Sequence, residues 1–211
     1  MKNYSLLYLL VSSFFLLSSC EEETTDNVSR ITYFPIITLT GQQWNTVKQG
    51  GSWTDPGAKA FEGETEITLA VGGDQVDTNV PGVYTITYTA VNKDGYSATE
   101  YRYIGVIAPE VEGVDMSGQY KRNAGALGVS TVKKISDNFY SSDNVGGVAA
   151  PGPATTVYFY HYQTKKLGVP LQLVAGSPFY CDMTNFELGV KYSWRVINSG
   201  YGPAVRTFVK L

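Results

Sequence analysis

Few side chains in this sequence could do covalent chemistry. The single histidine, His161, sits in the run Val157-Tyr158-Phe159-Tyr160-His161-Tyr162, where strand alternation puts it on the face of Val157 and Phe159. A lone histidine among apolar neighbours reads as a packed side chain rather than a base. No Gly-x-Ser-x-Gly elbow, His-Glu-x-x-His pair or phosphate-binding loop occurs. The paired carboxylates of glycoside hydrolysis are defined by separations in space and leave no mark in sequence. Asp137-Asn138 and Asp143-Asn144 bracket Phe139-Tyr140-Ser141-Ser142 with hard oxygen ligands of the kind calcium takes. Their spacing matches no EF-hand loop, and turns closed by Asx side chains are the expectation. The chain is therefore expected to be non-enzymatic and to carry no metal or cofactor.

The tyrosines suit binding better than catalysis. Of sixteen, fourteen lie beyond residue 19 and eight of these fall within 113–211. A sugar ring has apolar C–H faces and a rim of hydroxyls, so flat rings with polar tips complement it. Tyr158, Tyr160 and Tyr162 share one face of a strand. If Val157 and Phe159 point inward, the three form an exposed stripe; if the tyrosines face the core, the stripe vanishes. Tyr140, in a polar segment, and Tyr201, between glycines, are expected on loops as rim contributors. Trp194, alternating with Tyr192 and Val196, reads as core. Trp44 and Trp53 lie near turns and could be either.

Cysteine use sets the compartment. Lys2 is followed by an uncharged run from Tyr4 to Leu17, and Leu17-Ser18-Ser19 precedes Cys20. A positive start, a short apolar stretch and a small-residue cleavage site make a secretory signal, too short for a spanning helix of about 20 residues. Leu-Ser-Ser-Cys resembles the lipobox of bacterial lipoproteins, which implies a signal peptide at 1–19 and a lipid on Cys20. That would leave Cys181 with no intramolecular partner, so the fold must rest on its hydrophobic cores. Glu21-Glu22-Glu23 resembles the surface-export signal of Bacteroidetes lipoproteins. It implies anchoring in the outer membrane with the protein facing the exterior, and the same residues serve as a solvated tether over 20–30. A formal net charge of −3 gives no electrostatic reason to expect nucleic acid.

The elements that must position these residues are strands. Ile36–Thr40, Ile67–Val71 and Tyr84–Val91 are rich in β-branched and aromatic residues, with turn residues between them. In Tyr84–Val91 the residues Tyr84, Ile86, Tyr88 and Ala90 share the face expected to pack inward. Asp55-Pro56-Gly57, Gly72-Gly73-Asp74, Pro81-Gly82 and Lys93-Asp94-Gly95 supply turn chemistry. The reading is all-β: a sandwich over 31–108, a short linker over Ala108–Gly113, and a second β domain over 113–211.

The segments ITLTG (37–41), WTDPGAKA (53–60) and VDTNVPGVYTITYTAVNKDGYSATEYRYIGV (76–106) resemble a bacterial immunoglobulin-like domain of cell-surface proteins. The resemblance implies a β-sandwich in which Tyr84, just past Pro81-Gly82, makes a tyrosine corner. SGQYKRN (117–123), DNFYSSDNVGG (137–147), VYFYHY (157–162) and YSWRVINSGYG (192–202) are similar to the C-terminal domain of Bacteroidetes lipoproteins that pair it with such a domain. That implies a small barrel-like sheet and a place beside polysaccharide-uptake machinery. Expected partners are the membrane through the lipid, a polysaccharide, and outer-membrane transport proteins. The alternative is a structural or adhesion scaffold contacting another outer-membrane protein.

Overall fold

A computed structural model describes residues 31–211; the expected signal peptide 1–19, Cys20 and the tether 20–30 lie outside the described residues. The described chain is strand and turn, with one short 3-10 turn and no α-helix among the described residues. The all-β expectation is met.

The first domain is a two-sheet sandwich. One sheet orders β1 (Pro35–Leu39), β3 (Ala58–Glu62) and β4 (Thr65–Ile67). The other orders β2 (Trp44–Lys48), β7 (Ser97–Ile107), β6 (Gly82–Val91) and β5 (Leu69–Gly73). β6 and β7 are the long central hairpin. Their turn is closed by the Asn92 side-chain oxygen, which accepts from Asp94 N and Tyr96 N, while Gly95 takes φ +85°. Alternation on β6 buries Ile86, Tyr88 and Ala90 between the sheets, as its pattern predicts. Ile104 and Val106 of β7 meet them. Tyr84 Oη donates to Val80 O at 2.9 Å, the expected corner bond. Between the sheets Arg102, fully buried, donates to Thr40 O and Gly57 O, both at 2.8 Å, and its Nε lies 3.4 Å from Asp55 Oδ1. Tyr88 Oη donates to the same carboxylate at 2.6 Å; burial first, then that bond, pushes its pKa up to about 12.

The second domain is a closed antiparallel barrel of eight strands. Its order is β10 (Phe139–Ser142), β11 (Val157–Gln163), β12 (Lys166–Val174), β13 (Ser177–Glu187), β14 (Lys191–Ile197), β15 (Val205–Lys210), β8 (Gly118–Arg122) and β9 (Val129–Ser136), with β9 pairing β10 to close. Side chains fill the interior of a barrel this size. Here they are largely aromatic: Tyr120, Tyr140, Phe159, Tyr192, Trp194 and Phe208 are all fully buried. Tyr192 stacks on Phe208 with centroids 4.7 Å apart, and Trp194 Nε1 donates to Val145 O at 2.8 Å. The Trp194 core assignment therefore holds.

The short linker Ala108–Gly113 is packed against the barrel, and one expectation changes. Ala108 and Val111 are buried, Ala108 N donates to Tyr162 O, and Val111 O accepts from the Asn138 side chain. Apolar side chains inside a Pro/Glu stretch pinned it to the barrel. Tyr140 is not on a loop. It lies within β10, fully buried, and its hydroxyl donates to Val114 O at 2.7 Å. The acidic and serine flanks that suggested a loop are the strand's ends, where Asn138 takes φ +57° and Asp143 accepts from Thr131 N.

Candidate functional site

β11 alternates as its residues require. Val157, Phe159 and His161 point into the barrel, and Tyr158, Tyr160 and Tyr162 point out. The outward face does not meet solvent along its length, because the first domain lies on it. Alternation on β7 sends Arg102, Ile104 and Val106 into the sandwich and turns Tyr101, Tyr103, Gly105 and Ile107 toward the barrel. Tyr103, Ile107, Ala108, Val111, Phe139 and Tyr160 form one buried cluster, with Trp44, Val83, Tyr101 and Tyr162 against it. Gly105 lets Tyr160 lie on the β7 backbone, since a Cβ there would sit 2.4 Å from the ring. Reciprocally, a Cβ on Gly168 of β12 would sit 2.2 Å from Val83 of β6. Each domain thus offers a glycine to the other's side chain. Tyr160 Oη donates to Asn45 O at 2.9 Å and Tyr103 Oη to Leu171 O at 2.7 Å. Burial drives the pKa of both hydroxyls far upward, so they act as neutral donors.

At one end the junction opens into a cleft of about 480 Å³, lined on one side by Gln43, Trp44, Glu100 and Tyr101 and on the other by Tyr158 and Leu173. The volume is in the range of about 300–1,000 Å³ usual for ligand sites. The rings form a continuous file. Trp44 stacks on Tyr103 at 4.0 Å and on Phe139 at 5.1 Å, with Tyr158 tilted against it at 5.5 Å. Tyr101 continues the file at 6.3 Å from Tyr103. Tyr158 is 39% exposed and Leu173 58% exposed, whereas Tyr103 is buried beneath them.

The far wall has a local cause. Pro170 has no N–H for the β11 ladder, and on the other side of β12 the register against β13 slips between Val169 and Gln172. The buried Gln172 side chain replaces the missing partner, accepting from Tyr158 N and donating to Tyr158 O, both at 2.8 Å. The displaced strand carries Leu171 and Leu173 outward and holds the Tyr158 backbone in place.

The tyrosines expected to bind are therefore dispersed. Tyr158 lines the cleft. Tyr160 and Tyr140 are buried with hydroxyls on backbone carbonyls, and Tyr162 is half-buried within the junction. Tyr201 is on a loop, as expected, but lines a separate groove with Tyr180 and Arg195. Trp44, Tyr101 and Glu100 were not singled out as site residues. The available signal was Tyr-x-Tyr-x-Gly on the face of β7 opposite its core residues, where a solvent face would be polar. Asn138 donates to Val111 O and His161 O, and Asn144 donates to Val129 O and Val148 O. Both asparagines close turns.

His161 is 2% exposed, and neither ring nitrogen has a hydrogen-bond partner of normal geometry. Its ring meets Phe186 edge-on at 4.7 Å, and desolvation lowers its pKa to about 4. Cys181 is buried in the barrel, where desolvation raises its thiol pKa well above the usual range. Neither group is poised as a base or nucleophile.

Residues 37–106 match the Ig-like domain family of bacterial surface proteins. The match covers the sandwich and agrees with a cell-surface location. No curated protein matches the chain. Among solved structures, the lipoprotein BT2262 from Bacteroides thetaiotaomicron is similar at 24% identity, over 84% of this chain and all of that one, with a TM-score of 0.37. A likeness of that closeness transfers no site residue.

Proposed function

We propose that this protein is a non-catalytic, cell-surface glycan-binding or accessory component of a polysaccharide-uptake system, held in the outer membrane by a lipid on Cys20 and facing the exterior. One observation carries the binding reading: the cleft at the junction, where Tyr158 and Tyr101 present rings from two domains above a buried aromatic floor. Rings of this kind take the C–H faces of sugars, and the neighbouring Gln43 and Thr156 can serve hydroxyls. The buried, unactivated His161 and Cys181 support a role without catalysis. The match of the sandwich to surface Ig-like domains supports the location and says nothing of the ligand.

The test is calorimetry and affinity electrophoresis of residues 20–211 against a panel of soluble glucans, mannans, galactans and xylans. At least one binds, and Tyr158→Ala weakens it about ten-fold or more, roughly 1.4 kcal/mol or above, with an unchanged melting temperature. Absence of binding to every polymer would reject the reading. Cys20→Ala is expected to abolish incorporation of labelled fatty acid.

A scaffold contacting another outer-membrane protein is the second reading. Apolar side chains at the barrel surface favour it, with Met183 61% and Val205 47% exposed. Co-purification of a stoichiometric partner from solubilised membranes would support it.

A further inference from the structure

We infer that the barrel carries a second, smaller site at its other mouth, built for an uncharged one-ring molecule bearing a single O–H or N–H donor, with His161 as the acceptor. The site is a pocket of about 220 Å³. It lies where the β11–β12 turn (Thr164-Lys165) and Leu188 of the β13–β14 turn meet the segment arriving from the sandwich. The junction cleft is at the opposite end of the same strands, by Tyr158 at the start of β11 and Val174 at the end of β12. Val111, Val114, Phe186 and His161 line the pocket from within, and the exposed Leu188 stands at its lip.

The imidazole sets the chemistry. His161 is buried and lines this pocket with both ring nitrogens unpartnered, an arrangement that costs stability until a partner arrives. A neutral ring has one N–H and one bare nitrogen. The backbone of Gln163 works against desolvation to favour the protonated ring, which puts the N–H on that side and leaves the bare nitrogen for the pocket. A water needs two to four polar partners, and this floor is mostly apolar. The backbone oxygens of Val111 and Val114 already accept from Asn138 and Tyr140. At the rim Glu187 pairs with Lys191 at 3.3 Å, and Glu110 and Lys165 are of opposite sign, so no net charge draws an ion. A sugar would bring many hydroxyls to a floor with one free polar group. An aromatic ring suits the walls and meets Phe186. The volume exceeds the roughly 150 Å³ that encloses benzene and falls short of the roughly 300 Å³ where pockets for larger ligands begin, so a single ring is what fits.

His161 is the single histidine of the chain, so in isotope-labelled residues 20–211 its imidazole nitrogen signals are unambiguous. Phenol, anisole and benzoate are titrated in turn at neutral pH. Phenol is expected to move the bare-nitrogen signal saturably toward its hydrogen-bonded position. Anisole keeps the ring but has no donor; it should bind about five-fold or more weakly, the loss of one hydrogen bond, and leave that signal in place. Benzoate, an anion, should not bind. His161→Phe keeps an aromatic ring of similar size and should erase the advantage of phenol over anisole in raising the melting temperature. Should that variant fold poorly, the wild-type titration decides alone. Phenol without a saturable shift overturns the inference, as does anisole bound equally well. A nitrogen signal already at its hydrogen-bonded position without ligand marks a resident water and overturns it too. The glycan-binding reading is independent of every one of these outcomes.

Discussion

The sandwich and the barrel place their aromatic rings differently. The barrel packs Tyr120, Phe159, Tyr192, Trp194 and Phe208 against one another inside a closed sheet and turns only Phe139, Tyr158, Tyr160 and Tyr162 toward the sandwich. The sandwich instead holds a buried arginine, an aspartate and Tyr88 in its core, and sends Trp44, Tyr101 and Tyr103 to the outer face of β2 and β7. A closed barrel has no free edge and needs only its interior filled. An open sandwich has an outer sheet face to spare, and here that face is used for the junction and the cleft. Aromatic content alone thus does not separate core from site; the deciding fact is which face the partner domain covers.

The contrast can be broken experimentally. The largest effect is expected at the barrel core. Trp194→Ala leaves a cavity among stacked rings and orphans Val145 O, and should cost about 3–5 kcal/mol in chemical denaturation. A cost under about 1 kcal/mol would mean the barrel interior is not the tightly packed side of the comparison.

Next comes His161, inside the same barrel. Its folded pKa of about 4 lies below the ordinary 6.5, so the stability tied to its neutral form is full above pH 6.5 and is lost as pH falls toward 4. The loss approaches about 3 kcal/mol at the acid end. Asp115 and Asp182, whose pKa values are also lowered, by a hydrogen bond from Ser117 and by Arg195 respectively, lose stability in acid too. The readout is therefore the difference between wild type and His161→Phe across pH 7 to 4. Parallel curves would contradict the burial of a neutral ring.

At the junction, Gly105→Ala drives a methyl into Tyr160, and about 1–3 kcal/mol of destabilisation is expected from overpacking. Glycan affinity should fall with it, because the two cleft walls shift. Stability lost without affinity would mean that the cleft does not depend on the seating of the domains.

The smallest effect is expected at Tyr84, in the sandwich. Its hydroxyl bond to Val80 O is only partly shielded, so Tyr84→Phe should cost about 0.5–1.5 kcal/mol and leave binding unchanged. An unchanged melting temperature would remove the corner as a stabilising device.

What could be read from sequence follows from the range of the interaction involved. The alternation of β6, the inward Trp194 and the Tyr84 corner depend on neighbours a few residues away, and each is found as expected. The shared face of Tyr158, Tyr160 and Tyr162 was equally legible, since it follows from the two-residue period. What covers that face was not, because the cover comes from residues 44 and 101–107, far along the chain. Tyr140 misled for a related reason: short strands in barrels draw stability from closure, and their local sequence can look like a loop. The cleft needed both pieces of information, together with the Pro170 bulge, whose effect on β11 is visible only once the strands are paired.

The exchanged glycines of the junction have a mechanical consequence. One protruding side chain in one socket would act as a pivot, leaving the domains free to swing. Two, pointing in opposite directions, with Tyr160 seated over Gly105 and Val83 over Gly168, act as a dowelled joint. Rotation about either peg is stopped by the other, so a sideways load on one domain passes to the other without opening the gap between them. Such a joint keeps the width of the cleft constant while the two domains turn as one body.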